Sequence, residues 1–160
     1  MKFTRFQIME ILEILNGFNE KMNKYFVYYV SKIKNELESE KQAILAMSNP
    51  SQDFIIFENK RRDIISKYME IVDGKPVEQN GMYKIQEGKE KECQNELTKL
   101  FDENKETIEQ RQKEIKELEK IMDEEIDVNV TLIPFGYLPD MIDQKSIDVL
   151  MPIIKMNEIE

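Results

Sequence analysis

The chain has 160 residues, a net charge of −9, one cysteine and no histidine. That length suits one domain with an extension, the missing histidine excludes imidazole bases and histidine metal ligands, and Cys93 alone excludes an internal disulfide. No apolar run reaches membrane-spanning length, and MKFTRFQIMEILEILNGF is amphipathic and unlike a signal peptide, so a cytoplasm is the expected location.

The charge is uneven. Residues 1–86 carry 13 basic against 12 acidic side chains, and residues 87–160 carry 10 against 20. The acidic second half disfavours direct contact with nucleic acid or an anionic membrane and suits a basic partner.

Phe3, Phe6, Met9, Ile11, Leu12, Ile14 and Leu15 recur at mostly helical spacing up to Asn16 and Gly17, which predicts a first short helix. From Asn19 the pattern resumes through Met22, Phe26, Val30, Ile33, Leu37, Ile44 and Met47, interrupted at Glu40, and predicts a second helix of about eight turns. Residues Tyr25 to Val30 are apolar nearly all round. Either the whole cluster is buried, or Tyr25, Tyr28 and Tyr29 face outward as a partner site, since tyrosine offers area and a hydroxyl at low entropic cost.

Asn49 before Pro50, with Gln52 following, reads as the cap of a third helix carrying Phe54, Phe57, Ile64, Ile65, Tyr68 and Ile71. Lys60, Arg61 and Arg62 form a small basic patch on it, a solvated face pairing with Glu58 and Asp63 or else a phosphate contact. Asp73-Gly74 and Asn80-Gly81 are turn dipeptides, and residues 73–86 are read as a small hairpin.

Glu87 to Met122 contains no proline and only Gly88, and predicts one long helix of roughly 50 Å. As heptads, Phe101, Ile108, Ile115 and Met122 share one seam position while Leu97, Asn104, Arg111 and Leu118 share the other. Such a helix packs on its own domain, or forms a coiled-coil arm in which Asn104 and Arg111 set the register against a partner or a second copy.

Ile126, Val128, Val130 and Leu132 alternate with polar residues, predicting a strand over 126–133 that joins the hairpin in one small sheet. Pro134, Gly136 and Pro139 force a loop carrying Phe135, Tyr137 and Leu138, whose two aromatic rings are further candidates for partner contact. A last short helix is expected from Ser146 to Met151, before Pro152.

The fold class expected is mainly α with a small antiparallel β-sheet (α+β), with coiled-coil character in the long helix. One domain spans 1–160: a helical body (1–72), the hairpin (73–86), the long helix (87–122), the strand (126–133), and a loop with a short helix (134–160).

There is no phosphate-cradling glycine loop, no zinc-type cysteine pair and no nucleophile elbow, so no catalytic residue, metal ligand or cofactor is assigned. Glu106 with Glu109 and Glu124 with Asp127 imitate the paired carboxylates of magnesium-dependent nucleotide hydrolases. On one continuous helix those pairs lie roughly 27 Å apart, too far to share metals. The cluster Asp123, Glu124, Glu125 and Asp127 is not spaced like a calcium loop.

KYMEIVDGKPVEQNGMYKI (Lys67 to Ile85), the charged helix and IDVNVTLIPFGYLPD (Ile126 to Asp140) together resemble small uncharacterised proteins of phages and prophages of low-GC bacteria. The resemblance covers a little under half of the chain and carries no catalytic motif. It implies a phage accessory protein that acts by binding, in virion assembly or against a host protein such as a defence system.

The function expected is thus a non-enzymatic protein-interaction module, forming homo-oligomers or binding a host or virion protein. Tyr25, Tyr28, Tyr29, Asn104, Arg111, Phe135 and Tyr137 are its candidate contacts. Alternatives are an acidic nucleic-acid mimic acting through Glu114, Glu117 and Glu124, and a metal-dependent nucleotide hydrolase.

Overall fold

A computed structural model describes residues 1–18 and 22–156, and is mainly helical with small two-stranded β-pairings. In chain order the elements are β1 (Lys2–Thr4), α1 (Arg5–Gly17), α2 (Lys24–Ser48), α3 (Gln52–Tyr68), β2 (Ile71–Val72), β3 (Lys75–Pro76), β4 (Glu78–Gln79) and β5 (Met82–Tyr83). They continue with α4 (Glu90–Glu103), α5 (Lys105–Asp123), β6 (Glu125–Asp127), β7 (Ile133–Pro134), α6 (Gln144–Leu150) and β8 (Ile154–Lys155). The chain divides into two compact units, one of residues 1–49 with 117–160 and one of residues 50–116.

In the first unit, Thr4 decides where helix replaces strand. Its hydroxyl accepts the Gln7 amide at 3.1 Å while the Gln7 side chain accepts the Thr4 amide at 2.9 Å, a reciprocal cap that satisfies two otherwise unpaired donors. Lys2 to Thr4 is therefore a strand and not the first turn of a helix. It lies antiparallel to β6, with buried Phe3 opposite Ile126. This corrects the expectation that the strand after the long helix joins the hairpin. Only 125–127 and 133–134 of that stretch are extended in a ladder, and the second piece pairs in parallel with β8, Ile133 opposite Ile154.

Asn23 opens α2 by accepting the Tyr25 amide at 2.9 Å; the expected start at Asn19 lies outside the described residues. Phe26, Val30, Ile33, Leu37 and Ile44 form the buried stripe of α2, and Ile8, Ile11, Leu12 and Leu15 that of α1. Apart from Ile44, the two stripes meet with Phe3 in one core, completed by Val130, Ile133, Leu150, Ile153 and Ile154. Each fully buried aliphatic side chain there contributes about 1.5–3 kcal/mol. Glu40, the interruption in the α2 stripe, accepts from Arg5 and is thereby paired.

In the second unit, α3 is capped by Ser51, whose hydroxyl accepts the Phe54 amide at 3.3 Å, and not by Asn49. Pro50 holds Asn49 extended, at ψ 128°, where it ends α2 instead. α4 packs on α3 through Phe57 and Phe101, whose rings meet edge to face at 5.3 Å.

Asp73-Gly74 and Asn80-Gly81 all take positive φ, between 50° and 75°, so each dipeptide closes its own tight turn. Two hairpins result, β2–β3 and β4–β5, in place of one. Backbone hydrogen bonds from Glu70 to Lys84, Lys84 to Val77 and Val77 to Glu70 tie them together.

The expected single helix over 87–122 is two helices, and the break is at Asn104. There φ is −118° and ψ 20°, and the Asn104 amide reaches back three residues to Phe101 O (3.2 Å). Leu100 O is filled by the Asn104 side-chain amide at 2.8 Å. The side chain thus replaces the backbone donor that a continuous helix would supply, the competition that lowers the helix propensity of asparagine. Gly88, at φ +79°, keeps the first residues of the stretch out of α4.

Candidate functional site

The tyrosines of α2 divide between core and surface by helical spacing. Phe26 and Val30 turn inward, while Tyr25 and Tyr28 stand about 60% exposed and Tyr29 is half-buried between them. Tyr137, at the end of the short 3-10 turn Phe135–Tyr137, is brought to the same face from far along the chain. Its ring stacks on Tyr25 at 5.0 Å with 14° between planes and on Tyr29 at 5.8 Å and 29°. Tyr28 closes the group edge to face with Tyr29 at 5.5 Å. Phe135, from the same turn, is 53% exposed.

One side-chain contact ties the segment before the turn to α2. Both Glu36 oxygens accept from Thr131, one from its amide and one from its hydroxyl, each at 2.7 Å, so the segment leading to the turn is pinned to α2. Asp143 accepts the Ser146 amide at 2.9 Å and its hydroxyl at 2.7 Å, starting α6. Those bonds, the hydroxyl's first, hold the Asp143 carboxyl below the usual carboxylate range.

Asn104 and Arg111 belong to the other unit, and each is engaged within it. Asn104 ends α4, as described. Arg111 pairs with Glu114 at 3.3 Å and lies 5.8 Å from the centre of the Phe54 ring, a cation–π contact. Of the seven residues singled out from sequence, five therefore share the first unit, with Tyr25, Tyr28, Tyr29 and Tyr137 in one ring cluster.

Sequence reasoning missed two features. The first is Arg5, only 19% exposed, which donates to Glu40, to Glu124 (3.0 Å) and to Ile121 O (3.1 Å). The Glu40 hydrogen bond leads the effects that raise the Arg5 pKa further. The second is a cleft of about 760 Å³ within the second unit, walled by Arg62 and Ile65 of α3, Met82 and Tyr83 of β5, and Cys93 and Leu97 of α4. Burial pushes the Cys93 thiol up, away from the reactive thiolate. The cleft is assembled from residues dispersed along 61–97, and no local spacing announces it.

Chemically, the tyrosine face offers ring area and hydroxyls, with no acid–base pair poised among them. Among the described residues, no group of three or more Cys, Asp or Glu is arranged to hold a metal ion. Glu124 is bonded to Arg5, and Asp127 lies in the β1–β6 ladder. No helix of the described residues is long and apolar enough to cross a membrane.

Comparison of the chain with protein-family models, curated proteins and solved structures finds no significant match.

Proposed function

We propose that this chain is a non-enzymatic protein-interaction module whose docking surface is the tyrosine face of the first unit. The observation carrying this reading is the stack of Tyr25 on Tyr137, because it holds large, amphipathic rings at the surface in one geometry. Rings already immobilised lose little entropy on binding, which is why tyrosine is enriched at protein interfaces. The resemblance of Lys67–Ile85 and Ile126–Asp140 to phage proteins supports a place among phage accessory proteins, in virion assembly or directed at a host protein.

A benzophenone-bearing phenylalanine at position 28, photolysed in the host cell, tests the reading. We expect one discrete heavier adduct, absent when the same group replaces exposed Lys145 on α6. No adduct, or equal adducts at both positions, counts against it.

Self-association is a second reading, favoured by α5. That helix of 19 residues has no fully buried side chain, and Ile115 of its apolar seam is 42% exposed. Sedimentation equilibrium of the wild type and of Ile115→Lys tests it: a dimer that dissociates in the variant supports it, and a monomeric wild type removes it.

A further inference from the structure

Resting on the reading of the tyrosine face as a docking surface, we propose that the segment docking there is an acidic stretch of another protein. Lys24 and Lys32 each lie four residues from Tyr28 on α2, so one ammonium stands one turn to either side of that exposed ring. Both lysines are exposed, and neither forms an ion pair with a described residue. No Asp or Glu occurs between residues 22 and 35, although the chain as a whole carries −9.

Carboxylates on the flanking elements offset part of this charge. Glu36 continues the stripe past Lys32, and its bonds to the neutral Thr131 amide and hydroxyl leave its formal charge in place. Asp143, which caps α6, and exposed Asp140 add two more acids on the loop after the 3-10 turn. The α2 side of the face therefore carries Lys24 and Lys32 beside the rings, with Glu36 at one end, within a molecule of net charge −9.

Such a surface selects by charge as well as area. An acidic segment places carboxylates on the two ammoniums while apolar side chains cover the rings. The long-range field of a chain at −9 opposes a phosphate backbone, and two exposed lysines supply too few contacts to offset it. A short acidic stretch within a neutral or basic protein meets no such penalty, because its partner as a whole is not repelled.

The test is a library of random dodecapeptides selected on the intact protein, with the winning peptides titrated by fluorescence anisotropy. We expect the winners to be enriched in Asp and Glu over the starting library. We also expect their affinity to fall about tenfold in Lys24→Glu/Lys32→Glu and to weaken with added salt. Both substitutions are at exposed helical positions, and circular dichroism checks that the fold is kept.

Winners that need Tyr28 but carry no excess of acids, and ignore the lysine changes, overturn the acidic partner while leaving the docking face standing. Winners indifferent to Tyr28→Ala as well overturn both. A library yielding no winners, oligo-dT binding through the same lysines, or a homodimer abolished by Lys32→Glu each overturns the proposal, the last two in favour of a nucleic acid and a second copy respectively.

Discussion

Tyr25 on α2 and Tyr137 in the turn after β7 stack with their ring centres 5.0 Å apart and only 14° between planes. The contact joins two segments distant in sequence, and its energy is separable from that of either ring alone. A double-mutant cycle of Tyr25→Ala and Tyr137→Ala, read by urea denaturation, is expected to give a coupling of about 0.5–1.5 kcal/mol. A coupling of zero would mean that the stack does not hold the turn against α2.

Leu150 and Phe135 provide a contrast between packing and display. Leu150 is fully buried in the core of the first unit, and Leu150→Ala is expected to cost about 2–5 kcal/mol, seen as a lower denaturation midpoint. Phe135 is 53% exposed, and Phe135→Ala is expected to stay within about 0.5 kcal/mol of wild type. A large loss at Phe135 would show that the ring is structural and not available to a partner.

Glu96 sets a pH dependence in the second unit. It accepts from Lys67 at 2.6 Å and from the Tyr68 hydroxyl at 2.7 Å, and these bonds, that of Lys67 first, hold its carboxyl below the usual range. A carboxyl depressed in the folded state contributes stability that is present above its unfolded pKa and lost as pH falls through its folded one. The Lys67 ammonium is raised by the same bond to Glu96, so its contribution is present below the unfolded lysine pKa and lost as pH rises through the folded one. Acid titration of the wild type and of Glu96→Gln, followed by urea midpoint, should show a shallower acid limb in the variant. Parallel limbs would place the acid sensitivity elsewhere, such as Glu38 or Asp143, whose carboxyls are also depressed.

Asn104 is expected to govern whether α4 and α5 are separate. In Asn104→Ala the side-chain donor to Leu100 O is gone and the better helix former favours the backbone bond in its place. Carbon-13 chemical shifts across residues 102–106 should then move toward those of an unbroken helix. Unchanged shifts would show that packing of Phe101 on Phe57, and not the asparagine, sets the break.

Much of the helical framework was legible because the stripes of α1 and α2 obey one period and face the core of the first unit, while α3 buries Phe57 and Tyr68 within the second. Residues with a dual capacity were read less well. Asn104 occupies a seam position that would set the register of a coiled-coil arm, one of the two readings of that helix, yet its amide competes for a backbone carbonyl and ends the helix. Thr4 and Gln7 form a recognisable capping pair, but the apolar spacing from Phe3 onward hid it and a strand was read as helix. The pairing of β1 with β6 joins the two ends of a long stretch of chain, and periodicity carries no information on which strand finds which. For the tyrosines, the spacing of Tyr25, Tyr28 and Tyr29 left burial and exposure open, and the arrival of Tyr137 from a proline-bounded turn was not visible in any local pattern.

Cys93 has a practical consequence. As the sole thiol of the chain, only 3% exposed in the wall of the cleft between α3, α4 and the second hairpin, it reacts fully with iodoacetamide when those elements part. The labelling rate is thus a built-in stopwatch for breathing of residues 50–116, and its ratio to the global unfolding rate tells whether this unit comes apart by itself before the rest of the chain does.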